Sequence, residues 1–306
     1  MTFRDFALFS LICLIWGLNI IISRWIFVTT DVGPIFYAGV RFGLIALLLT
    51  PIFFQRRPDE LFKLFLISLC MGSLHFGLLF YGLANASASA SAVVGQLGVP
   101  FSTILSMIFL HEKIGWRRGI GIAMAFLGVV LISVDPKSFS VSFGLLFVAA
   151  SALAASVGSI LMKQITPMTG IRLQAWVGLM SFLPLFIGSM FLEQHMGGLV
   201  GQTEAFFAAG WPLWLATVFA VVGVSIFGHG SFYRLLQRYD VSLLSPLTLM
   251  TPVWGVILGV VLLNERFTTQ FLIGGGVSLT GILIIALRPN KKLPLAVLGK
   301  KLINGS

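Results

Sequence analysis

Two histidines, His75 and His229, stand inside long apolar stretches of the sequence, where an ionisable side chain is costly and usually functional. Imidazole titrates at about pH 6.5, so it can hydrogen-bond a carboxylate or relay a proton. Small residues surround both: Gly72 and Gly82 share a helix face with His75, and His229 lies between two glycines in segment 227–231. Each histidine therefore either faces a substrate cavity or is a neutral ring bonded to a neighbouring helix.

Arg41 is the one basic residue well inside an apolar stretch. A charge at that depth costs at least ~2.5–3.5 kcal/mol unless it snorkels or finds partners. It could clamp the carboxylate of a substrate, or it could be a structural partner for helix ends or carbonyls. The sequence favours the structural role.

Polar residues and prolines form stripes at helical spacing in two further apolar stretches. The stripes contain Gln96, Pro100 and Thr103 in one stretch, and Ser245, Thr248, Pro252 and Gly255 in the other. Polar side chains in lipid turn inward, towards a cavity or towards a neighbouring helix that they bind. Each proline frees a backbone carbonyl and bends its helix, so the pair Pro100 and Pro252 is predicted to border a cavity.

Aromatic residues supply candidate walls for a ring-bearing substrate. Trp16 and Asn19 lie on one helix face, and Tyr81, Trp176 and Trp254 are the other candidates. Most of the 28 phenylalanines are expected to face lipid or to pack between helices.

The composition decides what kind of protein must position these groups. Of 306 residues, 58% are hydrophobic and 10% are charged, and the mean hydropathy is +1.01, whereas soluble domains are about 25% charged. Uncharged runs of about 20 residues recur, which is the length of a membrane-spanning helix. The sequence predicts an all-α membrane protein without a cleavable signal peptide or a disulfide framework. The net charge of +10 is spread over short connections, so no nucleic-acid partner is expected.

Ten spans are predicted, joined by short connections, and segment 194–211 is interpreted as a glycine-rich loop. The spans are about 6–27, 33–54, 63–83, 91–110, 118–134, 142–164, 173–193, 212–233, 243–263 and 270–287. Most of the 20 basic residues fall in the connections on the side of the N-terminus, which predicts cytoplasmic N- and C-termini.

The chain is a tandem repeat. Phe80 and Pro100 recur as Phe232 and Pro252, and after one inserted residue Glu112 recurs as Glu265. The predicted organisation is a first repeat at 1–137 (spans 1–5), a second at 138–290 (spans 6–10) and a basic tail at 291–306. Five spans per repeat invert the second copy in the membrane. Inverted repeats with a substrate site between them are the architecture of secondary transporters.

Two further features of the repeat have structural interpretations. The glycine stripes of spans 5 and 10 predict close packing of these helices, either with one another or with their neighbours. They contain Gly121, Ala125 and Gly128, and Gly274, Ser278 and Gly281. Glu112 and Glu265 are interpreted mainly as helix-end charges paired with Lys113 and Arg266, with gating as the alternative.

The chain resembles the EamA family of the drug/metabolite transporter superfamily. The residues that carry the resemblance are Trp16-Gly17, Asn19, Arg41, Pro100, His111-Glu112-Lys113, Pro252 and Asn264-Glu265-Arg266. Within the family it is most similar to the YddG-type exporters of aromatic amino acids. The resemblance implies two inverted five-helix repeats and export from the cytoplasm across a bacterial inner membrane. It also implies a central cavity lined mainly by spans 1, 3, 4, 6, 8 and 9, with spans 5 and 10 outside it.

The leading hypothesis is a secondary transporter that exports aromatic and other uncharged amino acids by alternating access. We expect a small-molecule substrate and the lipid bilayer as partners, a functional monomer, and no catalytic residue, cofactor or metal. The alternative is a proton-coupled multidrug or metabolite efflux carrier, although no acidic residue lies inside a span away from its ends. A hydrolase is disfavoured because His229 and Ser231, two positions apart on a helix, do not face each other. A scaffold or receptor would not explain the inverted repeat.

Overall fold

The computed structural model describes residues 1–55, 57–110, 115–134, 142–166, 168–239, 244 and 247–287, and these residues are almost entirely helical. Ten apolar helices match the ten predicted spans in order. They are α1 (Phe3–Thr29), α2 (Pro34–Leu48), α3 (Leu61–Ala84), α4 (Ala88–Phe109), α5 (Trp116–Ser133), α6 (Phe143–Met162), α7 (Gly170–Leu192), α8 (Gly210–Phe232), α9 (Met250–Leu263) and α10 (Thr269–Ala286). In the described part of the chain, eight of them are long and apolar enough to cross a membrane, and α2 and α9 are shorter.

Side-chain oxygens or proline begin several of these helices. Ser87 accepts a hydrogen bond from the backbone N–H of Ala90 at the start of α4, and Thr268 accepts one from Phe271 at the start of α10. Pro34 is the first residue of α2, where its missing N–H costs nothing. Backbone donors near lipid have no water to bind, so these residues favour helix starts at these three positions.

The helices pack in a pattern that repeats itself. Six of the helix pairs in contact are α5–α10, α2–α7, α1–α9, α4–α6, α3–α6 and α1–α8. The pair α1–α9 corresponds to α4–α6, and α3–α6 corresponds to α1–α8. Replacing every helix by the one five positions away in the chain maps this set of pairs onto itself. That relation is the one expected for two structurally equivalent five-helix repeats.

The packing predicted for the glycine stripes is confirmed, because α5 and α10 lie directly against each other. A methyl group added to Gly121 would lie 2.7 Å from the carbonyl oxygen of Gly281. The same addition at Gly274 would lie 2.8 Å from the carbonyl oxygen of Gly128. Only a residue without a side chain lets the two backbones approach so closely.

Replacing Gly121 with alanine should therefore destabilise the protein by about 1–3 kcal/mol, the usual cost of overpacking a close interface. The matched control is Gly119→Ala on the same helix, because a methyl group there would meet no atom within 4 Å. Thermal unfolding of the purified variants in detergent compares the two. Equal melting temperatures for the Gly121→Ala and Gly119→Ala proteins would contradict the expected clash.

The prediction that segment 194–211 is a loop is wrong for its middle part. A helix, here called the connecting helix, runs from Gly198 to Ala208. Its glycines concentrate at the ends, where Gly197, Gly198 and Gly210 have φ values of 90°, 61° and 73°. Glycine adopts such left-handed angles without strain, so these residues delimit the helix and leave its interior intact.

Candidate functional site

A cavity of about 120 Å³ lies between α2, α3, α6, α7 and α8. It combines aromatic and aliphatic surface with four polar side chains from three helices. Its lining residues are Phe42, Met71, His75, Phe76, Ala155, Leu173, Gln174, Val177, Ser225 and His229. A polar minority in an apolar wall is typical of sites that orient a small ligand.

π-helical segments position both histidines. Leu69–Leu74 is π-helical and directly precedes His75, and Phe219–His229 is π-helical and ends on His229. The two segments occupy corresponding places in α3 and α8. Such wide turns are rare, and they occur frequently at functional sites.

The hydrogen bond of His75 assigns the proton on its ring. Its Nδ1 atom lies 3.0 Å from the carbonyl oxygen of Ser151 on α6. Since a carbonyl oxygen only accepts, Nδ1 must carry the hydrogen in this contact. In the neutral ring Nε2 then bears a lone pair, so His75 can accept a hydrogen bond from an ammonium group or an indole N–H.

His229 connects the cavity to α1. Its ring lies 5.2 Å from the ring of Trp16, measured between centroids, and Trp16 lies equally far from Phe232 in an edge-to-face contact. The indole Nε1 of Trp16 is buried and has no hydrogen-bond partner among the described residues. The structure thus brings two predicted residues together and leaves one of them an unused donor.

Arg41 is completely buried on α2. Its Nε and Nη2 atoms donate to the hydroxyl oxygen of Ser225 at 3.3 and 3.0 Å, and its guanidinium carbon lies 4.7 Å from the ring centroid of Phe76. Its partners are thus a hydroxyl group and an aromatic face, not the helix ends or carbonyls that the sequence favoured. Both partners line the cavity.

Helices α1 and α9 and the N-terminal part of α4, Ala88–Val94, meet at close range. An added methyl group at Gly17 would lie 2.9 Å from Cβ of Trp254, and one at Gly255 would lie 2.7 Å from Cβ of Ala92. Asn19 is buried on α1 with 7% of its surface exposed. The close approach at the two glycines keeps these helices in contact.

The polar and proline stripes are placed as follows. Gln96 is half-buried in a 3-10 segment, Gly95–Leu97, that lies one turn before the buried Pro100. Thr248 is half-buried in the turn before α9. Pro252 is buried in the first turn of α9, which begins at Met250. The predicted bend at Pro252 is therefore wrong, because proline in a first turn removes no helical hydrogen bond.

Two other candidates lie apart from this cavity. Trp176 is 92% buried, and its ring packs edge-to-face on Phe53 at 5.3 Å. Tyr81 packs against Phe147 and lines a separate apolar groove of about 320 Å³ beside Pro184. Neither side chain is among the lining residues of the cavity.

The helices around the cavity differ in part from those that the resemblance implied. Of the six implied spans, spans 3, 6 and 8 line the cavity, and α2 and α7 complete its wall.

Glu265, which follows α9, binds the N-terminus of the neighbouring helix α4. Its carboxylate accepts hydrogen bonds from the backbone N–H groups of Ala88 and Ser89 at 2.7 and 3.0 Å, at the N-terminus of α4. The predicted pairing with Arg266 is thus replaced by a helix cap, which a helix N-terminus favours through its partial positive charge. The repeat counterpart Glu112, with Lys113, lies outside the described residues.

Sequence reasoning missed two polar residues of the cavity wall, Gln174 and Ser225. Gln174 is the single amide in the apolar stretch of α7, a signal that could have found it. Ser225 gave no such signal, because isolated serines are common in membrane helices and usually bond to a carbonyl of their own helix.

Known proteins resemble this chain over nearly its whole length. Residues 6–134 and 140–287 match the EamA-like transporter family. A protein of Escherichia coli (strain K12) called a probable amino-acid metabolite efflux pump is 27% identical over 93% of this chain and 95% of its own. An uncharacterized transporter of Archaeoglobus fulgidus is 28% identical over 92% of this chain and 98% of its own.

A solved crystal structure covers 99% of both chains with a TM-score of 0.56 at 16% identity, which supports the fold alone. The family match spans both repeats, and eight of the apolar helices in the described residues have the length and composition of membrane spans. The chain is therefore a multi-pass membrane transporter that belongs to the EamA-like transporter family.

Proposed function

We propose that the protein exports amino acids, aromatic and other uncharged ones, from the cytoplasm by alternating access. The observation that carries this proposal is the composition of the cavity wall. His75 and Gln174 offer hydrogen-bonding groups for the charged ends of an amino acid, and Phe42, Phe76 and Val177 offer an apolar room for its side chain. The E. coli relative, named for amino-acid metabolite efflux, supports the same substrate class.

The alternating-access part of the proposal rests on the repeat. Two halves of opposite orientation can exchange their conformations, so that the cavity opens first to one side of the membrane and then to the other. In this proposal Trp16, His75 and His229 contact the substrate, and Asn19, Gln96, Pro100, Thr248, Pro252 and Trp254 border its path. Tyr81 and Trp176 would join it only after a rearrangement of α3 and α7. The protein functions as a monomer in a bacterial inner membrane with both termini in the cytoplasm.

A multidrug carrier is the second candidate, and one property of the cavity counts against it. None of its described lining residues is acidic. An exchanger of organic cations for protons relies on an acidic side chain within the membrane.

Reconstitution in liposomes tests the proposal. Purified protein should carry labelled phenylalanine, tryptophan, threonine and methionine down a gradient faster than protein-free liposomes do. Parallel assays with and without a pH gradient decide whether protons are coupled. Failure to move any of the four amino acids, with transport of organic cations instead, would replace the proposal by the multidrug alternative.

A further inference from the structure

The guanidinium group of Arg41 is a buried charge without an anionic partner in the described part of the chain. Its Nε and Nη2 atoms share the Ser225 hydroxyl, and its Nη1 atom is buried with no hydrogen-bond partner there. Two ion pairs of the described residues, Lys63 with Glu60 and Arg238 with Asp5, do not involve it. A charge buried away from water normally has a partner of opposite sign.

The Ser225 hydroxyl is oriented to face this charge. It donates its own hydrogen to the carbonyl oxygen of Ala220 at 3.0 Å, five residues earlier in the π-helical segment. Its lone pairs are therefore left for the two Arg41 donors. A regular helix would not place a carbonyl five residues back within reach, so the π-helical segment determines which carbonyl the Ser225 hydroxyl binds.

Only one layer of side chains separates Arg41 from the cavity. Ser225 and Phe76, which touch the guanidinium, both line the cavity, and so does the sequence neighbour Phe42. Among the described lining residues no carboxylate opposes the charge. In a low-dielectric interior the field of an unpaired charge extends beyond its contacts, so it acts on a molecule inside the cavity.

We propose that Arg41 determines the charge selectivity of the cavity: it favours substrates that carry a carboxylate and disfavours organic cations. Arg41 acts through the field that it projects past Ser225 and Phe76, as a specificity-determining residue. This inference rests on the proposed function, because it concerns the same cavity, but it makes a separate statement about ligand charge.

Three ligands that share one aromatic ring and differ in charge test the inference. They are phenylalanine, 3-phenylpropionate, which has the carboxylate without the amine, and 2-phenylethylamine, which has the amine without the carboxylate. The last two compete against labelled phenylalanine for the wild-type protein in liposomes. We expect 3-phenylpropionate to inhibit phenylalanine transport at a concentration at least about tenfold lower than 2-phenylethylamine requires. The reason is that Arg41 attracts a carboxylate and repels an ammonium group.

Variants assign this preference to Arg41. Arg41→Gln removes the charge and should bring the ratio of the two competitors close to one. Arg41→Lys keeps the charge and Ser225→Ala keeps the guanidinium, so both should retain the preference. An Arg41→Gln protein that transports phenylalanine with the wild-type ratio would overturn the inference. If Arg41→Gln does not fold, a wild-type or Arg41→Lys protein without the preference overturns it equally.

Ligand binding separates this inference from the proposed function. Thermal unfolding of purified wild-type protein is measured with each of the three ligands. A protein that moves no amino acid, yet is stabilised by 3-phenylpropionate and not by 2-phenylethylamine, refutes the proposed function and keeps the charge selectivity. A protein that transports phenylalanine but is stabilised equally by both competitors keeps the function and refutes the selectivity.

Discussion

Replacing Glu193 with alanine is expected to destabilise the protein by about 2–4 kcal/mol, because it removes a buried cap from the N-terminus of α2. The carboxylate of Glu193 is 1% exposed and accepts hydrogen bonds from the backbone N–H groups of Ile35 and Phe36 at 2.7 and 2.9 Å. The Ser189 hydroxyl donates to it at 2.7 Å. Without the carboxylate, two backbone donors stay buried and unpaired in a protein that has lipid, not water, around it.

Thermal unfolding in detergent measures this effect. Glu193→Gln keeps one carbonyl oxygen as an acceptor and should lie between the wild type and Glu193→Ala. Glu204→Ala on the connecting helix is the matched control, because Glu204 is exposed and its loss should change stability by less than about 0.5 kcal/mol. Equal melting temperatures for Glu193→Ala and Glu204→Ala would contradict the capping role.

The repeat and the glycine stripes made much of the fold predictable. Spans stand out in the sequence because about 20 uncharged residues have few other structural uses. The contact between α5 and α10 was predictable because glycine at helical spacing has one strong physical consequence, the close approach of two backbones. Gly121 and Gly281 show that approach directly.

The caps on α2 and α4 were not predictable, because their partners are distant in sequence. Gly33 donates its N–H to the side chain of Gln202, which lies in the segment that the sequence described as a loop, and Ile35 donates to Glu193, the last residue of the seventh predicted span. Glu265 likewise accepts from Ala88, which lies 177 positions away in the sequence. A carboxylate at the end of one helix looks the same in sequence whether it pairs with its neighbour or caps another helix.

The candidate site was predictable in residue type and less so in position. His75, His229 and Trp16 emerged because polar or amphipathic groups within apolar stretches are costly and rarely accidental. Trp176 was also a candidate because of its position in an apolar stretch, yet its ring packs on Phe53 in the core between helices. A single-residue shift turns a helix face by about 100°, so small errors in span boundaries decide which side chains reach a cavity.

Replacing His75 with asparagine is expected to reduce phenylalanine transport by about tenfold or more, while the melting temperature stays near that of the wild type. The Asn side-chain amide can occupy the place of Nδ1 and donate to the carbonyl oxygen of Ser151, as His75 does at 3.0 Å. It has no atom in the place of Nε2, the acceptor that the proposed function assigns to the substrate. Asparagine therefore separates the structural role of the ring from its role in binding.

His75→Ala should lower both properties, because it also leaves the Ser151 carbonyl without its partner. His195→Asn is the matched control, since His195 is exposed in the segment between α7 and the connecting helix. Initial rates in liposomes and melting temperatures in detergent are compared for all four proteins. Wild-type transport by His75→Asn would show that Nε2 serves no substrate, and the contact with Ser151 would then be the whole function of His75.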